Sequence, residues 1–366
     1  MATAAVVWQQ GEPFRLTEIH LDKPRATEVH VRLLAVGMCH TDLNAASGAL
    51  PFPLPGVLGH EGVGIVEDIG EDVTRVRVGD RVLLTFTSCG RCRGCRSGHP
   101  AHCDDQMTLN LFGGRRPDGS TPLHHADGTE LNAHFFGQSS FATEAIADER
   151  GVIPLPDDLD DATLPVLTPL GCGAQTGAGA ILNVLRPAPG STLAVAGAGA
   201  VGLSAVMTAA AMTAVSRVIV IDRYPDRLRL ASELGATDTI DTTEIPLDQA
   251  LLDANVDYAI ETTGNTTVLE TLIDNLGVAG HVAVIGAPRG GSRASFDVNR
   301  LLLGRTIHGV TLGDSEPQAF IPTLLDAWRA GRFPIDRLVR TYPFADINKA
   351  AEDAASGRTI KPVLIF

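Results

Sequence analysis

The hydrophobic pattern of this chain changes character part-way along. Up to about residue 170 the apolar stretches are short: 29–36 alternates apolar and polar positions, 62–69 is rich in β-branched residues, and 81–86 is a brief apolar run, with glycine and proline between them. Alternation at period two turns one face of a strand to a core, so this part reads as mostly β structure. From about residue 190, apolar runs at 192–196, 217–221, 256–260 and 281–285 are separated by helix-length segments at 200–213, 225–234 and 266–276. That alternation predicts βαβ units on a doubly wound parallel sheet. Pro225 opens the second helix, where a missing amide proton costs little. The last fifty residues return to mixed character, with a helix expected at 320–330 and a terminal apolar run at 362–366. Residues 104–134 are polar and weakly periodic and read as a long loop.

A chain of 366 residues exceeds the size at which one core keeps growing, so two domains are expected. The switches in pattern put one domain at 1–173 plus 312–366, wrapped around an inserted one at 174–311. Residues 187–216 hold no charge and are long enough to span a bilayer. They are dominated by Ala, Gly and Thr, however, and lack the Leu, Ile and Phe content that drives insertion, so no membrane span is expected.

Charge narrows the partners. With 29 basic against 43 acidic residues the net charge is -14, which argues against nucleic acid or an anionic membrane and leaves a small neutral substrate open. No basic residue precedes the short apolar run 4–8, so the N-terminus does not read as a secretory signal and a cytoplasmic location is expected.

Cysteine spacing supplies the first chemistry. Cys89, Cys92, Cys95 and Cys103 form C-x2-C-x2-C-x7-C. Four thiolates this close in sequence can close a tetrahedron around zinc with no open position, the pattern of a structural site. An iron–sulfur cluster is the rival, but the bacterial ferredoxin run continues with three residues to a Cys-Pro pair, whereas here seven intervene and Asp104 follows Cys103. Two disulfides are the remaining alternative, disfavoured in a reducing compartment.

Gly197-Ala198-Gly199-Ala200-Val201-Gly202 fits G-x-G-x-x-G, follows an expected strand, opens a helix, and is succeeded by a second strand ending at Asp222, about twenty residues on. In that context it reads as a dinucleotide-binding fingerprint: glycines let the backbone approach, helix amides hold the pyrophosphate, and Asp222 binds the adenosine ribose. Its charge should repel a 2′-phosphate and favour NAD over NADP, although Arg223 beside it could soften the choice.

Two cysteines remain, Cys39 and Cys172, both flanked by glycine, with His60-Glu61 between them in Gly59-His60-Glu61-Gly62-Val63-Gly64. Two thiolates and an imidazole would leave a fourth zinc position open for an oxygen, as catalysis requires. Separation in sequence does not by itself establish that they converge. Lone cysteines are often small buried hydrophobes, and lone histidines ordinary core residues.

Taken together, Gly59-His60-Glu61-x-x-Gly64 with Gly70 and Val73, Cys39-x-Thr41-Asp42, the four-cysteine lobe, Gly171-Cys172-Gly173 and the glycine fingerprint resemble, in order, the zinc-containing alcohol dehydrogenases of the medium-chain dehydrogenase/reductase superfamily. The resemblance covers essentially the whole chain. It implies an α/β protein with a GroES-like, mostly β catalytic domain and a Rossmann NAD-binding domain, two zinc ions per subunit, and a homodimer or homotetramer. It assigns Cys39, His60 and Cys172 to catalytic zinc, with Glu61 close by and Asp42 orienting His60. Zinc would lower the pKa of the alcohol so that an alkoxide forms, Thr41 would take the proton, and hydride would pass to nicotinamide.

The same resemblance places Thr176 and Val201 against the nicotinamide, Ile285 and Ala287 at its carboxamide, His40 and Lys361 at the pyrophosphate, and Arg227 near the adenosine ribose. Asn44 stands where better-known members have a histidine that passes the proton to water. Residues 135–141, 171–177, 313–318 and 331–334 resemble the benzyl (aryl) alcohol branch, which acts on aromatic and allylic, including terpenoid, primary alcohols. Phe52, Phe86, Leu109, Phe112 and Phe141 are candidate pocket residues. The alternatives are a general aliphatic alcohol dehydrogenase or an S-(hydroxymethyl)glutathione dehydrogenase, for which Arg115 and Arg116 could anchor the acidic substrate, and, in another class, an inactive dinucleotide-binding scaffold.

Overall fold

A computed structural model describes residues 2–366. The chain divides into two compact units. The first runs from the N-terminus through Cys172 and takes back Glu316–Leu325 and Ile335–Phe366; the second is Gly173–Ser315 with Asp326–Pro334.

The first unit is built on two sheets. In the larger, the ten-residue strand Glu28–Gly37 pairs along one edge with Gly62–Ile69 and shares its other edge between Glu144–Asp148, at residues 28–32, and Lys361–Ile365, at residues 35–37. Arg81–Leu84, Val152–Pro154 and Val339–Pro343 complete it. Val29, Val31, Leu33, Val66, Val82, Leu84 and Ala145 form one buried cluster on this sheet. Because the C-terminal strand abuts the end of Glu28–Gly37, Lys361 arrives beside Met38 and Cys39; the Met38 amide donates to Pro362 O at 2.9 Å.

The smaller sheet runs in the order Gly56–Val57, Ala2–Val7, Arg15–Leu21, Leu123–His125, Glu130–Leu131. Two of these strands correct the expected loop at 104–134, which also contains the π-helical turn Thr108–Phe112. Strands of two or three residues are too short to show alternation; they exist because Ile19 to Leu21 offer an open edge to pair with.

In the second unit six parallel strands lie in the order Asp238–Asp241, Arg217–Asp222, Thr192–Ala196, Val256–Glu261, Leu276–Val284, Thr306–Gly309, the doubly wound order in which the first strand lies centrally and the chain crosses over after the third. Helices Ala200–Met212, Pro225–Glu233 and Thr266–Asn275 fall within a residue of the expected spans. Polar Asp238–Asp241 and Thr306–Gly309 were not expected: they are edge strands and bury little. Residues 187–216, which lack charge, divide between the first strand and its helix, and among the described residues no helix is long and apolar enough to cross a membrane.

Candidate active site

Cys39 ends an extended segment and caps the helix His40–Ser47. Three residues on, the wholly buried Asp42 turns back: its Oδ2 accepts the Cys39 amide at 2.7 Å, and its Oδ1 accepts the Gly59 amide at 3.1 Å and His60 Nδ1 at 2.9 Å. One carboxylate therefore fixes both segments. With Asp42 accepting the Nδ1–H, the neutral form of the imidazole carries its lone pair on Nε2. Gly37 is glycine because a Cβ there would lie 2.2 Å from Glu61 Oε2, and Gly171, before Cys172, because a Cβ would lie 2.5 Å from Leu84 O.

Ligand atoms of Cys39, His60, Glu61 and Cys172 lie within 4.8 Å of one another. The Cys39 thiol sits well below its ordinary range, first through the hydrogen bond from Cys172 and then through the charges of Lys361 and His60; Cys172 is pushed well above it by the same hydrogen bond and by burial. For His60 burial opposes protonation, but Asp42, and after it the neighbouring Cys39, more than offset it and raise the imidazole to about 10. His60 Nε2 is nevertheless buried with no hydrogen-bond partner. An orphaned nitrogen within 4.8 Å of two sulfurs is a donor set for zinc, and Glu61, the other possible ligand of the cluster, is held by Lys361.

Lys361 receives a different partner from the pyrophosphate expected of it. Its ammonium is buried 2.7 and 2.8 Å from the two Glu61 oxygens and donates to Met38 O at 3.2 Å. Thr41 lies two residues beyond Cys39, its Oγ1 3.6 Å from the Cys39 sulfur, and His40 is exposed on the first turn of the same helix. Asn44 is half-buried on that helix.

The segment 135–140 holds His60 from another direction and was not recognised as doing so in the sequence. Gln138 Nε2 donates to His60 O at 3.1 Å and Thr85 O at 2.9 Å, while its Oε1 accepts from the Gly62 amide and Ser140 Oγ. Thr85 Oγ1 in turn donates to Gly171 O at 2.6 Å, next to Cys172. Phe136 stacks on the His60 ring with centroids 4.3 Å apart and 18° between planes. Its φ of 52° and ψ of 32° are left-handed, a conformation costing a non-glycine residue about 1–3 kcal/mol. Of the expected pocket residues, Phe52, Phe86 and Phe141 are closed into the core, Leu109 is half-buried and Phe112 is exposed.

Cys89, Cys92, Cys95 and Cys103 also converge within 4.8 Å, and none of the six cysteines is in a disulfide. Backbone amides point at the sulfurs: Cys89 N to Cys103 Sγ at 3.3 Å, Cys92 N to Cys89 Sγ at 3.4 Å, Cys95 N to Cys92 Sγ at 3.5 Å. Amides of Cys95 and Asp104 lower the Cys92 thiol to about 6, whereas burial pushes Cys103 up to about 12. With four sulfurs and no open position this is a structural zinc site.

In the second unit the fingerprint glycines are small for three different reasons. Gly197 turns at φ +98°, and a Cβ would lie 2.2 Å from Thr262 Oγ1; at Gly202 it would lie 1.8 Å from Gly197 O, where helix meets turn. At Gly199, the cap of Ala200–Met212, nothing lies within 4 Å. That opening is what a pyrophosphate needs in order to reach the helix amides. Asp222 ends its strand with Oδ2 accepting the Ala198 amide at 2.6 Å and Oδ1 accepting those of Arg223 at 2.7 Å and Tyr224 at 3.0 Å. Arg227 lies 4.8 Å over the Tyr224 ring. Thr176 is buried on Gly173–Gly179, Val201 half-buried, and Ile285 and Ala287 follow Leu276–Val284.

A doubly wound dinucleotide domain on the same chain as an open two-thiolate, one-imidazole site and a closed four-thiolate site defines a zinc-dependent dehydrogenase. The chain belongs to the zinc-binding alcohol dehydrogenase family: residues 25–157 match the alcohol dehydrogenase GroES-like domain and residues 200–327 the zinc-binding dehydrogenase domain. It is 42% identical to a geraniol dehydrogenase of Castellaniella defragrans, over 100% of this chain and 98% of that one. Among solved structures, an alcohol dehydrogenase zinc-binding domain protein from Burkholderia ambifaria is 48% identical with a TM-score of 0.96, covering 100% of this chain and 98% of its own. Benzyl alcohol dehydrogenase from Acinetobacter calcoaceticus is 42% identical with a TM-score of 0.94, covering 100% and 99%. The protein is a zinc-dependent, NAD(P)-linked alcohol dehydrogenase.

Proposed function

We propose that this enzyme interconverts primary alcohols bearing an aryl or allylic group, terpenoid alcohols included, with their aldehydes. The observation that carries the chemistry is the unpartnered Nε2 of His60 facing Cys39 and Cys172. The substrate class rests on the similarity to a geraniol and a benzyl alcohol dehydrogenase. Cys39, His60 and Cys172 would hold zinc, which would supply Lewis acidity toward the alcohol oxygen. Thr41 Oγ1 would accept the hydrogen bond of the substrate hydroxyl and relay its proton, passing its own hydroxyl proton on toward solvent, and Glu61, neutralised by Lys361, stays beside the ligand cluster without adding net charge.

NAD would be held through the amides after Gly197, Gly199 and Gly202, with the ribose on Asp222, Arg227 nearby, Thr176 and Val201 against the nicotinamide, and Ile285 and Ala287 at its carboxamide. An acidic glutathione adduct is disfavoured, because Arg115 is tied to Glu130 and Asn132, and Arg116 is buried against Glu28 and Asp22.

NAD reduction measured over benzyl alcohol, geraniol, ethanol, hexanol and formaldehyde with glutathione tests this. The highest kcat/KM is expected on benzyl alcohol or geraniol; a preference for ethanol, hexanol or the glutathione adduct overturns it. We further propose a cytoplasmic homo-oligomer, a dimer or tetramer. Six cysteines, none of them in a disulfide, suit a reducing compartment, and Val278, Leu302, Leu303 and Ile307 are exposed around the edge strand Thr306–Gly309. Light scattering of the purified protein checks the second point, and a monomer would refute it.

A further inference from the structure

Phe136 is buried, and its backbone conformation and its ring contact point to one use. Its left-handed φ of 52° is one that glycine adopts freely, and Gly137 follows with a φ of 68°. The position nevertheless carries an aromatic ring laid flat on an imidazole, 4.3 Å away at 18°. Asp42 holds that imidazole at Nδ1, 2.9 Å away. A single hydrogen bond leaves the ring able to rock about the Nδ1···O line, and rocking swings Nε2 away from the sulfurs of Cys39 and Cys172. A stacked ring removes this freedom, and Phe135, edge-on at 5.4 Å and 76°, adds a second contact.

The platform itself is anchored. Ser139 Oγ donates to Val57 O at 2.6 Å and accepts the Phe135 amide at 3.0 Å, and the Gln138 side chain holds the His60 carbonyl.

We propose that Phe136 is a positioning residue for His60: its ring fixes the plane of the imidazole so that Nε2 is aimed at the metal position, and it keeps water from that face. Partners that orient a ligating histidine typically contribute 10–100-fold in metal affinity. A stack on the ligand ring acts on the same freedom as a hydrogen bond to its far nitrogen. The proposal rests on His60 being a zinc ligand.

The test follows zinc release to a chelator from the holoenzyme, and the visible spectrum after cobalt(II) replaces the more labile zinc. His60→Ala serves as the reference and should lack one zinc per subunit; if it keeps both, the ligand reading itself fails. Phe136→Leu should release one zinc about tenfold faster than wild type, with the other unchanged, and should shift the cobalt ligand-field bands. Phe136→Tyr, which restores a stacking face, should stay within about twofold of wild type.

Phe136→Gly removes the backbone strain and keeps the proposal testable if the leucine variant folds poorly; it should also release that zinc about tenfold faster. Phe344→Leu, at a similarly buried phenylalanine that packs on Phe366, should lower Tm without changing zinc release. If His60→Ala loses one zinc while Phe136→Leu and Phe136→Gly keep wild-type release and cobalt spectra, the ring does not position His60. Equal acceleration of both zincs would equally overturn the proposal, because it would mark general destabilisation.

Discussion

The Lys361 ammonium and the Glu61 carboxylate form a wholly buried ion pair, 2.7 and 2.8 Å at its two contacts, across 300 residues of sequence. Burial disfavours the charged amine, yet the facing charges of Glu61 and Cys39 hold it above its ordinary range. Lys361→Met should therefore lower the unfolding free energy by about 3–5 kcal/mol, the cost of leaving a buried carboxylate unpaired. Adding Glu61→Gln should recover part of the loss. Denaturant unfolding of wild type, both single variants and the double variant measures the coupling, and strict additivity would show that the pair does not interact.

The two cysteine sites should separate by phenotype. Cys39→Ala is expected to lose one zinc per subunit and measurable turnover while still binding NADH, since the fingerprint lies in the other unit. Cys95→Ala should instead lower Tm or soluble yield, because a closed four-sulfur site stabilises its lobe. Metal analysis, NADH fluorescence titration and thermal unfolding of the two variants decide it; the reverse pattern would exchange the two assignments.

Cofactor choice should turn on Asp222. Replacing it by glycine removes a carboxylate that opposes a 2′-phosphate and leaves Arg223 and Arg227, 5.0 and 4.8 Å from the Tyr224 ring, nearby. The ratio of kcat/KM for NADP over NAD should rise by roughly tenfold or more, since a like-charge contact costs over ~1.4 kcal/mol. An unchanged ratio would mean that Asp222 does not face the ribose.

Acid stability should report on Asp353. Lys349 at 2.6 Å, Arg358 at 2.7 Å and the Tyr342 hydroxyl at 2.9 Å hold this carboxyl below its ordinary range. A carboxyl depressed in the folded state stabilises the protein above its unfolded pKa of about 3.9, and that contribution is lost as pH falls through the folded value. Asp353→Asn should thus lower Tm at pH 7, with the gap to wild type narrowing below about pH 4. A gap that stays constant from pH 7 to pH 3 would contradict this account.

What could be read along the chain was what is local. The strands Thr192–Ala196 and Arg217–Asp222 were legible because both faces are buried and the apolar run is unbroken, and the four-cysteine loop because its ligands lie within fifteen residues. The fingerprint was legible because its three glycines fall within six residues, between one strand and the helix that follows it. Tertiary structure alone decided which distant residues meet. Cys39, His60 and Cys172 converge because Asp42 binds one helix cap to the turn before His60, while Thr85 and Gln138 link that turn to Gly171. Lys361 reaches Glu61 only because the C-terminal strand takes the free half-edge of Glu28–Gly37. The two- and three-residue strands at 123–125 and 130–131 likewise form only on an existing edge. In each case the deciding energy is a contact between segments remote in sequence, which carries no periodic imprint on either one.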